Sequence, residues 1–117
     1  MLKKIQIALS FLFLFFILIS ISKAEILKPN SNIKPSDVVK IQLIGLQNNN
    51  DEFEDSGIEQ TWNFAHPNNK KATGPLDKFK RMIKSNNYQM MINHISHTIT
   101  EIRGGDNWVQ FEVIILD

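Results

Sequence analysis

A predominantly apolar run from Ile5 to Ile21, behind Lys3 and Lys4, decides how much of this chain is available to fold. Ser22-Lys23-Ala24 follows, and then Glu25. A basic start, an apolar stretch and a small-x-small step together read as a secretory signal cleaved after Ala24. The apolar run, about 17 residues, is also at the lower limit for crossing a bilayer. An uncleaved single-pass anchor, spanning within residues 5–22, is therefore the alternative. Lys3 and Lys4 keep the N-terminus cytoplasmic in both cases. The rest of the chain is expected outside the cytoplasm, in a periplasm, a thylakoid lumen or the medium. A buried core helix is the poorest reading, because no face of the segment is polar.

Of the 117 residues, 93 follow the first 24. They are enough for one modest core, and with no Cys that core has no disulfide to support it. The lack of Cys also excludes thiolate metal sites, a Cys nucleophile and a lipidated Cys anchor. The whole chain carries 13 Lys and Arg against 12 Asp and Glu. Without Lys3, Lys4 and Lys23, 10 basic residues face 12 acidic ones, for a net charge of about −2. That balance offers no basic face to phosphates and argues against a nucleic-acid partner.

Residues 25–35 contain two prolines and small polar residues and read as a linker. Residues 36–117 form one domain. Ser36 is the expected cap of a first helix running to about Gln47, with Val39, Leu43 and Leu46 on its apolar stripe. Asn48-Asn49-Asn50-Asp51 ends it. The acidic loop with Asp51, Glu52, Glu54 and Asp55 lacks the spacing of a calcium loop and reads as solvated. Ser56 and Glu59 are spaced as a capping box for a second helix to about Ala65. His66 to Thr73 reads as a polar loop. Pro75 begins a third helix, to about Lys84, with Leu76, Phe79 and Ile83 inward.

The period then changes from helical to alternating. Ile95, His97, Ile99 and Glu101 alternate with Ser96, Thr98, Thr100 and Ile102. Gly104-Gly105-Asp106-Asn107 is a turn cluster, and Val109, Phe111, Val113 and Ile115 alternate after it. Helices followed by antiparallel strands make an α+β domain. Two long strands alone are marginal as a sheet, so the exposed edge invites a second chain or subunit, or the chain is a shortened copy of a longer domain.

The stretch Gly57-Ile-Glu-Gln-Thr-Trp62-Asn-Phe-Ala-His-Pro67-Asn-Asn-Lys70-Lys-Ala-Thr73-Gly-Pro-Leu76 resembles a motif of an uncharacterised family of cyanobacteria, algae and plant plastids, the domain of unknown function 4864. The segments Val38 to Leu46 and Phe79 to His94 also fit it, so the resemblance covers roughly residues 34–116. Members are similar to the nuclear-transport-factor-two-like superfamily. The resemblance implies a cystatin-like cone, in which N-terminal helices pack on a curved antiparallel sheet. It also implies a further sheet portion after Leu116, and so an incomplete cone here. It carries no activity to any residue. Richness in Asn, Ile and Lys fits an AT-rich genome, such as that of a small marine cyanobacterium.

Few constellations suggest chemistry. On a helix, His94, His97 and Glu101 would share a face and could hold zinc. On a strand, His94 and His97 point to opposite faces, and no metal site is expected. His97 and Glu101 then share a face, with Ile95 and Ile99 beside them as core positions. Catalytic cones of this superfamily carry acid–base groups on the concave face of the sheet, so His97 with Glu101, or His66 with another carboxylate, is a weak catalytic candidate. In the loop from His66 to Thr73, Asn68, Asn69, Lys70 and Lys71 precede Thr73-Gly74 and a helix start that could hold an anion, and the plainer reading is a solvated loop. Trp62, Phe64, Phe79, Tyr88, Trp108 and Phe111 could line an apolar pocket, although such aromatics more simply fill a core.

No nucleophile–base–orienter set is visible, so a noncatalytic binding module is the leading reading. It would use an apolar pocket or an open sheet edge to hold a small ligand, a protein partner or a second copy. A small hydrolase, isomerase or dehydratase is the alternative. No cofactor is implied.

Overall fold

Pro35 opens the first regular element of the structure, a computed structural model that describes residues 26–117. The apolar run and the cleavage step lie outside the described residues. Helix α1 spans Pro35–Gln47 and buries Leu43 and Leu46. Its cap residue is the extended Lys34, whose side chain makes no capping bond. Ser36, expected as the cap, is one residue inside the helix. Proline explains the shift, because its missing N–H is no loss at the first helical position.

Helix α2 spans Ser56–Asn63. The expected capping box does not form. Asp55 occupies the cap in the left-handed conformation, with φ 62°, and makes no side-chain cap bond. Ser56 lies inside the helix, and its hydroxyl donates to the Asn49 carbonyl at 3.0 Å. The first-turn N–H groups are met from outside the helix. Gly57 N–H donates to the Asn49 backbone oxygen, and Ile58 N–H to Asn49 Oδ1, both at 2.9 Å.

The segment read as a polar loop contains a third helix, α3, Pro67–Thr73. His66 Nδ1 accepts the Asn68 N–H at 3.1 Å, and Pro67 stands at the first helical position. An imidazole replaces the usual Ser or Asp acceptor, which is why the start was hidden. Helix α4 follows at Leu76–Ile83, and then a 3₁₀ turn at Gln89–Met91.

Strands β1 (Ser96–Gly104) and β2 (Val109–Leu116) pair antiparallel. His97 faces Ile115, Ile99 faces Val113 and Glu101 faces Phe111. Ile102 is the extra residue of a register shift between Glu101 and Arg103. The architecture is α+β: four helices packed against a two-stranded antiparallel sheet.

The core is made of helical residues. Leu46, Ile58, Phe79 and Ile83 are buried together, with Trp62, Leu76, Met82, Met91 and Ile92 packed around them. No apolar side chain of β1 or β2 is fully buried. Ile95, expected as a core position, lies before the strand and is 67% exposed. Ile99 and Phe111 are half-buried beneath α1. The linker is held more firmly than its composition implied. The Gln60 side-chain amide donates to Leu27 O and accepts from Leu27 N–H, both at 2.8 Å. A single side chain thus satisfies an extended backbone in both directions, as a neighbouring strand would.

Candidate functional site

The residue with the most constrained chemistry is His97. His94 is almost fully buried, at 3% exposure, just before β1. Its Nδ1 lies 2.7 Å from the Met91 carbonyl oxygen. A carbonyl only accepts, so His94 carries its hydrogen on Nδ1 and, when neutral, a lone pair on Nε2. His97 Nδ1 lies 2.8 Å from that Nε2. His97 must therefore donate its Nδ1–H, which leaves the lone pair on His97 Nε2. The two rings meet edge-on, with centroids 5.0 Å apart. Met91 carbonyl, His94 and His97 form a relay that fixes both tautomers.

This arrangement corrects the expectation that His94 and His97 point to opposite faces. That expectation extended the strand through residue 94. Instead, Asn93 takes a left-handed conformation, with φ 55°, and β1 starts only at Ser96, so the alternation does not reach His94. His94 Nε2 and His97 Nδ1 share one hydrogen, so neither nitrogen offers a free lone pair to a metal while the two are bonded. Among the described residues, no three His, Asp or Glu side chains gather as a metal site would need.

Burial, then His94, then the Lys40 ammonium hold the His97 pKa below its ordinary value. Glu101 gives His97 no partner. It stands four residues along the strand, about 13 Å away at the usual rise, and is exposed. It lines a groove of about 290 Å³ between α1 and the sheet, with Ser36, Asp37, Lys40, Ile99 and Phe111.

The expected anion loop is not assembled. His66 is spent as the cap of α3, with Asn68 as its donor. Asn69 gives its carbonyl to the Thr73 hydroxyl at 2.7 Å. Lys70 and Thr73 lie in the last turn of α3, at the negative end of the helix rather than at an N-terminus. Lys70 Nζ reaches the Asn63 carbonyl at 3.3 Å and lies 5.7 Å from the Trp62 ring centre.

Nor do the aromatics share a cavity. Trp62 packs on Phe79 with centroids 5.2 Å apart, as part of the helical core. Tyr88 is exposed, and Trp108 is exposed against the Gly105 turn. A larger groove, of about 390 Å³, lies between α1 and α2. Ile26, Leu27, Ile41 and Ile44 line it, with Asp51 and Glu52 also on its wall.

The sequence reading missed a polar cluster beside the core. Asn49 is buried, and its Nδ2 donates to Asp55 Oδ1 at 3.1 Å. Lys84 Nζ meets Asp55 Oδ2 at 2.6 Å. Burial alone would raise the Asp55 pKa, but the bonds from Lys84 and Asn49 outweigh it and hold the carboxyl below its usual range. Every member is partnered, so the cluster reads as structural.

The sheet leaves several apolar side chains exposed. Ile114 and Leu116 are each 59% exposed, and Val113 and Ile102 are also exposed. β2 carries one charge, Glu112, and no Lys or Pro, and the register shift bulges β1 rather than β2. The devices that protect a sheet edge are therefore concentrated away from β2. No family model matches the chain, and no curated protein or solved structure matches it.

Proposed function

We propose that this chain is an exported, noncatalytic interaction module that completes its sheet by pairing β2 with the β2 of a second copy. The observation that carries this reading is the exposed apolar surface of β2 on a sheet of only two strands. Such a ribbon is marginal alone and gains stability from added strands. Export rests on the basic, apolar and small-x-small pattern of residues 1–24. The likeness of residues 57–76 to the cyanobacterial and plastid family supports a larger curved sheet, which pairing along β2 would supply.

The strand is compatible with itself in one long register. A two-fold axis at Val113 sets Val113 opposite its own copy and Phe111 opposite Ile115. It places Glu112 against Ile114 rather than against a second Glu112. Moving the axis to Glu112 would oppose two like charges, which is destabilising.

The absence of cysteine makes the test clean. Directly opposed residues of antiparallel strands have Cα atoms about 4.5–5.5 Å apart, within disulfide reach. Mild oxidation of Val113→Cys at neutral pH is expected to give a covalent dimer. Thr100→Cys, which would report pairing through β1, is expected to stay monomeric. A monomeric Val113→Cys chain sinks the proposal, and a dimer from Thr100→Cys alone moves the interface to β1.

A small acid–base enzyme is the second reading, favoured by one observation: the relay leaves His97 Nε2 as an oriented base. It lacks a partner carboxylate, since Glu101 is too far along the strand to serve.

A further inference from the structure

The join between the helical layer and the sheet is polar. Asn93 N–H donates to the Leu46 carbonyl at 2.8 Å, and Asn93 Oδ1 accepts Asn49 N–H at 3.1 Å. Gln47 Nε2 donates to the Ile95 carbonyl at 2.7 Å, and Ile95 N–H to the Leu116 carbonyl at 2.8 Å. These bonds tie residues 93–95 to α1 and to the end of β2. Among the described residues, the single side-chain hydrogen bond that reaches from this join into β1 is the one from His97 to His94. With no fully buried apolar side chain in β1 or β2, that bond bears on how the ribbon is seated.

We infer that the His94–His97 pair is a proton-operated latch: neutral, it seats the sheet on the helical layer, and doubly protonated, it releases it. The proton count follows from the relay. A first proton enters at His97 Nε2, and the Nδ1–H bond to His94 survives it. A second proton must enter at His94 Nε2, the acceptor. Two N–H groups would then face each other at 2.8 Å, and the rings must part.

The groups around the pair oppose both protons. Lys40 on α1 adds a like charge to an imidazolium at His97. Ile115, opposite on β2, offers no counter-charge. Asp37 and Glu101 belong to the neighbouring groove, and neither hydrogen-bonds either ring. His94 is buried, and its Nε2 lone pair is already occupied by the His97 N–H. The lowered pKa of His97 agrees in direction. A released sheet exposes both rings, which then take protons near their ordinary value of about 6.5. The latch therefore holds above that pH and weakens as the pH falls below it. On the reading that β2 pairs with a second copy, release also leaves a detached ribbon and loosens the partner.

The test is hydrogen exchange between pH 7.5 and 5 on the full chain, kept in detergent micelles because of its apolar run. Exchange rates divided by intrinsic rates give opening constants for each amide. A two-proton latch makes the opening constants of Thr98–Glu101 and Phe111–Ile115 rise by up to about 100-fold per pH unit. Amides of Leu46 and Ile58 in the helical core should hold steady. His97→Asn keeps a side-chain N–H donor near the Nδ1 position and removes one titrating ring. Its opening should rise by no more than about 10-fold per unit.

Strand opening that ignores pH, or that matches the core amides throughout, overturns the latch. So does a His97→Asn chain with the wild-type slope. Imidazole nitrogen shifts in the unaltered chain give a check that needs no variant. With only three histidines the spectrum is simple, and both His94 and His97 must show the Nδ1–H tautomer at neutral pH. A nitroxide on Val113→Cys separates the two readings. If the sheet opens but the label never shows dipolar broadening at any pH, the latch stands and the pairing proposal fails. If broadening is present and the sheet ignores pH, pairing stands and the latch fails.

Discussion

Asn49→Ala is expected to cost about 3–5 kcal/mol of folding stability, read as a lower midpoint in urea with an unchanged slope. The size follows from what the side chain does. Oδ1 is the partner of the Ile58 N–H in the first turn of α2, a residue with no exposed surface. Nδ2 is one of the two partners of the Asp55 carboxylate. Truncation orphans the buried N–H, which costs about 1–3 kcal/mol, and leaves a small void beside Ile58. It also removes one of the bonds that hold the Asp55 pKa down. Domains of this size hold only about 5–15 kcal/mol in total, so the variant falls near the limit of folding. Asn49→Asp sharpens the prediction. It has nearly the same shape and keeps an acceptor for Ile58, but sets a second carboxylate against Asp55 Oδ1. It should be destabilised at neutral pH and regain part of the loss as the solution is acidified toward pH 4, where the two oxygens can share a proton. Equal loss for Asp and Ala at every pH would mean that the lost Nδ2–H donor, which both variants lack, sets the cost, and not the void or the added charge.

The parts of the fold that could be read from the sequence are those whose cause is local. Leu43 and Leu46, and Phe79 and Ile83, mark α1 and α4 by spacing alone. Alternation from Ser96 and from Val109, broken by Gly104-Gly105, marks both strands. What could not be read depended on contacts made at a distance. Asn49 sits among three consecutive asparagines with the same local propensity. Which of them turns inward is settled by the left-handed turn at Asp55 and by Asn93, 44 residues on. Helix α3 was hidden by its polar composition, although His66-Pro67 held the signal: a side-chain acceptor followed by proline at the first helical position. The histidine relay was missed because period-two reasoning assumes a strand at every residue, and the left-handed Asn93 interrupts it. The anion and aromatic sites failed for a simpler reason. Their members were grouped by chemistry along the chain, and the helices α3 and α4 send them to different places.

The crossing of α1 and α2 gives the second large effect. Gly45 and Gly57 meet backbone to backbone, and a methyl group on Gly57 would overlap the Gly45 carbonyl oxygen and lie 2.8 Å from the Asn49 Cα. Neither neighbour is a side chain that can rotate away. Gly57 has no positive φ, so close approach, not backbone conformation, is what selects glycine here. Gly57→Ala must therefore push the helices apart at the place where Asn49 caps α2. Overpacking commonly costs about 1–3 kcal/mol, and the loss here is expected at the upper end or beyond, about 3 kcal/mol or more. Gly45→Ala is the control within the same contact. Its added methyl would meet the Gly57 oxygen at 3.1 Å and otherwise only the Gln60 side chain. A shift of a few tenths of an ångström relieves it, and alanine gains about 1 kcal/mol of helix propensity over glycine in return. Gly45→Ala should thus change stability by less than about 1 kcal/mol in either direction. Thermal melts of the two variants decide the matter. Equal losses would show that the helices can separate freely, in which case the Asn49 cap, and not the glycine contact, sets the spacing of α1 and α2.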